Sequence, residues 1–204
     1  MFTSRWTARR WRNTAIAAAG VAAFAVGAPL AASAASQSGA APAAVSQPGP
    51  TADRGFPTYV HLPADQAAHP NAAIEWWYTV GHLYSQGHEY GYEVTLFPSG
   101  LAEIGITDVR VHKFYTHTFQ YTAGQYSASD KQLDVRMPAA TFSGPMNDMH
   151  LTATIPQGHL DLRLNPKGPA NYMNGTGLIP FLKGSSYYYS LPDLQTSGTL
   201  TLNG

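Results

Sequence analysis

Glu75-Trp76-Trp77-Tyr78-Thr79-Val80-Gly81-His82-Leu83-Tyr84, the turn Ser85-Gln86-Gly87-His88, and residues 89–98 with Tyr90, Tyr92, Val94 and Leu96 at every second place decide the fold. Aromatic and β-branched residues in period-two alternation on both sides of a Gly-containing turn predict an antiparallel hairpin. In a strand, successive side chains point to opposite faces, so Glu75 and Trp77 share one face while Trp76 and Tyr78 share the other.

The same pattern continues toward the C-terminus. Strand candidates are one long segment at residues 107–122, a short one at 132–137, a pair at 149–155 and 159–164, and two more near 186–191 and 198–202. Gly, Pro and Asn-Gly punctuate them, and no amphipathic helix longer than two turns intervenes. Residues 167–184 are rich in Gly and read as a long loop over a barrel mouth. Strands this dense without helices predict an all-β chain, an antiparallel barrel or sandwich. Asn203-Gly204 is a hairpin signal with no strand after it, so the sequence reads as a chain interrupted within a hairpin.

Toward the N-terminus the composition changes. Residues 36–55 are almost entirely Ala, Ser, Gln, Pro and Gly, too poor in apolar side chains to offset the entropy of ordering, and are expected to be a disordered linker. Residues 1–35 have the form of an export signal peptide: Arg5, Arg9, Arg10 and Arg12, an apolar run from Ala15 to Leu30, then Ala32-Ser33-Ala34-Ala35. A retained anchor is the competing reading, but Pro29 breaks the run, which is short of the about 20 strongly apolar residues a span needs. Arg9-Arg10 suggests the twin-arginine export machinery, whereas Arg12, where a hydrophobic residue is preferred, fits Sec export equally well. A secreted or extracytoplasmic location follows.

The 204 residues carry a formal net charge of zero, and removing the leader leaves eight basic against twelve acidic residues. Basic residues are too few and scattered for a nucleic-acid partner. There is no cysteine, hence no disulfide, thiol nucleophile or lipoprotein anchor. A packed core must hold the domain, residues 56–204, together.

Four sets of residues could carry chemistry. Glu75 beside the indoles of Trp76 and Trp77 could be a desolvated proton donor, or a carboxylate that accepts hydrogen bonds and holds the barrel closed. His82, His88, His112 and His117 lack metal-ligand spacing, since 112 and 117 differ by an odd number and face opposite ways on one strand; neither a metal nor a cofactor is expected. Tyr187-Tyr188-Tyr189-Ser190 offers rings with a polar tip, suited to the wall of a ligand site or to an ordinary core. Asp108, after Ile106 and Thr107, reads as a turn-forming carboxylate and alternatively as a catalytic acid. No Gly-x-Ser-x-Gly elbow is present.

His69-Pro70, Ile74-Glu75-Trp76-Trp77-Tyr78, Gly81-His82-Leu83, Gly91-Tyr92, Leu96-Phe97, Ile106-Thr107-Asp108, Asn165-Pro166-Lys167-Gly168-Pro169, Tyr187-Tyr188-Tyr189-Ser190 and Gly198-Thr199-Leu200 occur in an order that resembles the AttH/CrtC lipocalin-like family. The resemblance implies the first of two tandem lipocalin-like barrels, with the second barrel as its partner in the complete chain. It also implies a large apolar ligand, a polyene, terpenoid or polyketide. The complete protein would act on it by hydratase, isomerase or cyclase-like chemistry, or carry it without change. Trp76, Trp77, Tyr78, Tyr92, Tyr188 and Tyr189 are then the substrate-binding candidates, and Glu75 and Asp108 the catalytic ones. The chain departs from the family in two ways: it does not reach the Asp-His-Glu-Trp motif, and Glu103 stands where many members have a histidine. Turnover by this chain alone is therefore not expected.

Overall fold

The computed structural model describes residues 2–5, 60–181 and 184–202. The linker reading and all of the leader but residues 2–5 lie outside them. In chain order the strands are β1 (Phe2–Arg5), β2 (Trp77–Ser85), β3 (His88–Leu96), β4 (Leu101–Asp108), β5 (Lys113–Gln120), β6 (Ser127–Ala128), β7 (Asp134–Met137) and β8 (Ala140–Ser143). They continue with β9 (Met149–Ile155), β10 (Gly158–Pro166), β11 (Asn171–Tyr172), β12 (Leu178–Phe181), β13 (Gly184–Tyr187), β14 (Tyr189–Ser190) and β15 (Leu194–Leu202). Two single 3-10 turns, Ala64–Gln66 and Met173–Gly175, are the helical elements among the described residues.

Every pairing is antiparallel, and the all-β reading holds. One sheet has four strands in the order β2-β3-β4-β5; the other has seven, β1-β15-β10-β9-β8-β7-β6; β11-β14 and β12-β13 are small ribbons. The predicted hairpin is β2-β3, in the register Trp77↔Leu96 through Ser85↔His88. Gln86 and Gly87 both have positive φ, 49° and 82°, as a two-residue turn matched to the twist of its strands requires.

The two sheets share one apolar core, built by alternation. Tyr92, Val94 and Leu96 of β3 and Ala102, Ile104 and Ile106 of β4 meet Met149, Leu151, Ala153 and Ile155 of β9 and Leu160, Leu162 and Leu164 of β10 in one buried cluster. Ile106, Leu160, Leu162 and Leu164 are completely excluded from solvent. The interior between the sheets is thus filled by side chains of the chain itself.

Three segments differ from the sequence reading. The expected single strand at 107–122 is the end of β4, a turn and β5; Asp108 closes β4, and His112 has a φ of 53°. His112 therefore lies in a turn rather than on a strand with His117. The last strand begins at Leu194 and pairs along its whole length with β10. Gly198 interrupts the regular pattern there: its φ is 149°, and a Cβ would lie 2.0 Å from the carbonyl oxygen of Asp161, so only glycine fits. Finally, the expected loop at 167–184 contains β11, a 3-10 turn and β12.

Thr79 faces the core from β2, buried, and its hydroxyl finds no hydrogen-bond partner among the described residues. An unmatched buried hydroxyl costs about 1–3 kcal/mol, and valine has the same shape without it. Thr79→Val should raise the unfolding free energy by about 1 kcal/mol, seen as a higher urea midpoint at unchanged slope. Ile104→Ala should lower that free energy by about 2–5 kcal/mol through the cavity it leaves.

Candidate functional site

Alternation through residues 75–78 creates two neighbourhoods, one on each side of the strand. On the inward side Trp77 is buried, and its Nε1 donates to the carbonyl oxygen of Gln66 at 3.0 Å. Gln66 ends the 3-10 turn Ala64–Gln66. It is 4% exposed, and its Nε2 donates to Met149 Sδ at 3.3 Å. The turn is thus tied to both sheets, to β2 through Trp77 and to β9 through Met149.

Glu75 belongs to this side. Its Oε2 accepts the backbone N–H of His69 at 2.9 Å, and its Oε1 lies 2.6 Å from His69 Nδ1. The other ring nitrogen, Nε2, is 3.9 Å from Asp65 Oδ1, and Asp65 in turn accepts the backbone N–H of His61. Tyr189 reaches the same cluster from β14, with a side-chain hydrogen bond to Gln66. Burial first, then the nearby charges of Asp65 and Glu75, push its phenol up to about 12, so it stays protonated through the neutral range. Both oxygens of Glu75 are engaged by one residue six positions away. The geometry ties residues 65–69 to the start of β2, and the half-exposed imidazole of His69 is the cluster's most solvent-accessible member of the pair.

The outward side is aromatic. Trp76 packs against Phe97, centroids 6.4 Å apart at 41°, and against Phe181 of β12, 5.9 Å apart at 46°. Such tilted pairs are among the arrangements the ring quadrupoles favour. Tyr78, two residues on, is 48% exposed. Its hydroxyl is pushed up by partial burial and then by the charges of Glu93 and Tyr188. Tyr188 is held by its backbone, donating to the Gly177 carbonyl and accepting from the Met173 N–H.

The substrate-binding candidates thus divide. Trp76 and Tyr78 lie on the outward side, and Tyr188 is fixed through its backbone to Gly177 and Met173. Tyr189 lies on the inward side, and Trp77 and Tyr92 belong to the core. Tyr92 is 4% exposed, and burial raises its phenol strongly against the opposing hydrogen bond with Thr196. Asp108 is buried, with Oδ1 accepting the N–H groups of Arg110 at 3.1 Å and Val111 at 3.4 Å, the geometry of a side-chain-closed turn. It does not meet Glu75 in any described contact.

Among the described residues no three His, Asp or Glu side chains are grouped to hold a metal ion. His82 Nδ1 lies 2.6 Å from Glu89 Oε1 at the hairpin end, and this bond, with a second from Tyr84, holds the Glu89 carboxyl below its usual range. His117 stacks on Phe119. An open concavity lined by Gly124, Tyr126, Arg136 and Pro138 includes none of the candidate residues.

Sequence reasoning did not assign roles to Asp65, Gln66 and His69, or to Phe97 and Phe181. Phe181 comes from a ribbon about a hundred residues from Trp76 in the chain, so no local pattern could have paired them.

A sequence profile of the AttH-like family matches residues 55–204. A protein of Nitrosomonas europaea, whose 2.00 Å crystal structure bears the AttH designation, has a similar fold: TM-score 0.64 at 26% identity, over 74% of this chain and 52% of that one. This chain therefore spans about half the length of that relative. No curated protein matches it.

If Glu75 and His69 act as one tie, Glu75→Ala should cost about 1–3 kcal/mol in urea unfolding, and Glu75→Ala/His69→Ala little more than Glu75→Ala alone. Strict additivity would refute the tie. Tyr92 and Tyr189 both have raised folded-state values, so their contribution is complete below the unfolded-state value near 10 and is lost as pH rises above it. Absorbance at alkaline pH should show a set of tyrosines that ionise only together with loss of the near-ultraviolet circular dichroism.

Proposed function

The chain belongs to the AttH-like family, and from that premise we propose that it supplies an aromatic wall for a large apolar small molecule, a polyene, terpenoid or polyketide, in an exported lipocalin-like protein. One observation carries the reading. The interior between the sheets is filled, while the rings of Trp76, Phe97 and Phe181 gather outside it beside exposed Tyr78. Clustered aromatic faces suit a ligand that gains most by leaving water.

Export rests on the leader-like residues 1–35, with Sec or twin-arginine machinery as the partner. A second barrel, consistent with the relative's greater length, would complete the site. Hydratase, isomerase or cyclase-like chemistry belongs to that complete protein: an alkene protonated there would form a cation that aromatic faces stabilise, or a flexible polyene would be folded into a reactive shape. Here Glu75 acts through its tie to His69 rather than by direct proton transfer. The engagement of both Glu75 oxygens also favours the second reading, carriage of the ligand without change.

Binding of the neutral fluorophore N-phenyl-1-naphthylamine tests the wall. Trp76→Ala and Phe181→Ala should each weaken it by about tenfold, with far-ultraviolet circular dichroism preserved; unaltered binding in both would overturn the proposal. Incubating the complete protein with an apolar polyene separates the two readings, since a product heavier by one water, or a cyclised isomer, means chemistry, and recovery of the unchanged polyene means carriage.

A further inference from the structure

The outward face of the four-stranded sheet carries more than rings. Register places Tyr78↔Thr95↔Glu103↔Thr118 and Val80↔Glu93↔Gly105↔Thr116 in adjacent rows across β2, β3, β4 and β5. Val80 on β2 and Phe114 on β5, the two outer strands of this sheet, are 51% and 57% exposed. Glu93 lies across Gly105: a Cβ on that glycine would meet Glu93 Cγ at 2.8 Å and Phe114 Cε2 at 2.9 Å. Glu93 and Phe114 therefore crowd the same glycine, and the register sets exposed Tyr78 one row away on the neighbouring strand.

The charge on this face has one sign. By alternation β2 to β5 send Glu89, Glu93 and Glu103 outward and neither lysine nor arginine. Glu89 is taken up by His82, whereas Glu93 and Glu103 form no ion pair among the described residues. Ring faces are negative at their centres, as carboxylates are, so both parts of the patch attract the same kind of group.

We infer that the apolar ligand of this face carries a cationic head, a quaternary ammonium or protonated amine, seated at Tyr78, Glu93 and Phe114 with its apolar body on Val80 and toward Trp76. The inference rests on the apolar-ligand reading above and narrows it. A carboxylate-headed ligand such as a fatty acid is repelled by Glu93 and Glu103, and a neutral alcohol can donate a hydrogen bond to them but brings no opposite charge. Long, flexible ammonium compounds meet both requirements.

Displacement of N-phenyl-1-naphthylamine from the full chain, at neutral pH and low salt, by decyltrimethylammonium, decanol and decanoate holds the tail constant and varies the head. The cation should displace at about one-tenth the concentration of decanol, and decanoate should be weakest. Glu93→Gln/Glu103→Gln, both exposed positions, should reduce the preference for the cation to about twofold while leaving decanol unchanged. Equal displacement by cation and alcohol, or a preference that survives the double substitution, overturns the cationic head and leaves the apolar site standing. Displacement by none of the three overturns both.

Discussion

The hydrogen bond from the Trp77 indole to the Gln66 carbonyl is the contact on which the arrangement depends. It holds the largest side chain of β2 inside the core and gives its one polar atom a partner at the core's edge. A buried indole N–H without an acceptor would cost more than the bond itself contributes, so the segment carrying Gln66 cannot move away freely. Once Trp77 is fixed inward, period two leaves Trp76 and Tyr78 no choice but to face outward. The placement of the aromatic wall is a consequence of core packing.

That constraint also accounts for Glu75. It shares the inward side with Trp77 but lies just before the strand begins, where the two sheets no longer cover it. A carboxylate there needs hydrogen-bond donors, and the His69 backbone N–H and imidazole supply them. Gln66 and Tyr189 complete a polar cap over that end of the core. Of the two roles the sequence offered Glu75, its contacts here are those of a tie between residues 65–69 and the start of β2, while the ring beside it, Trp76, packs on Phe97 and Phe181.

Sequence carried the hairpin because everything that specifies it is local: alternating Tyr92, Val94 and Leu96, and a Gln86-Gly87 turn with positive φ at both positions. It obscured the β4-β5 turn because residues 109–112 contain two valines and no glycine or proline. The reversal is made instead by the Asp108 carboxylate capturing two N–H groups and by His112 in a left-handed conformation. β15 read as shorter than it is because Gly198 looks like a strand's start when it is an irregularity within one. Glu75 and Trp76 were legible as residues of interest, but His69 and Phe181 as their partners were not, since those pairings are set by the folding of separate segments onto β2.

The two sheets differ in what they show to solvent, and the difference bears on which face does work. The outward positions of β8, β9 and β10 include small hydroxyls and paired polar groups, such as Thr141 with Thr152 and His150 with Asp161, groups that satisfy one another. Those of β2 to β5 include exposed Tyr78, Val80 and Phe114, and Glu93 and Glu103, which form no ion pair among the described residues. Sheets that need only solubility tend toward the first composition, because exposed apolar surface invites association and like charge on one face repels itself. On β2 to β5 both unfavourable features occur on one face, a composition that solubility alone does not account for.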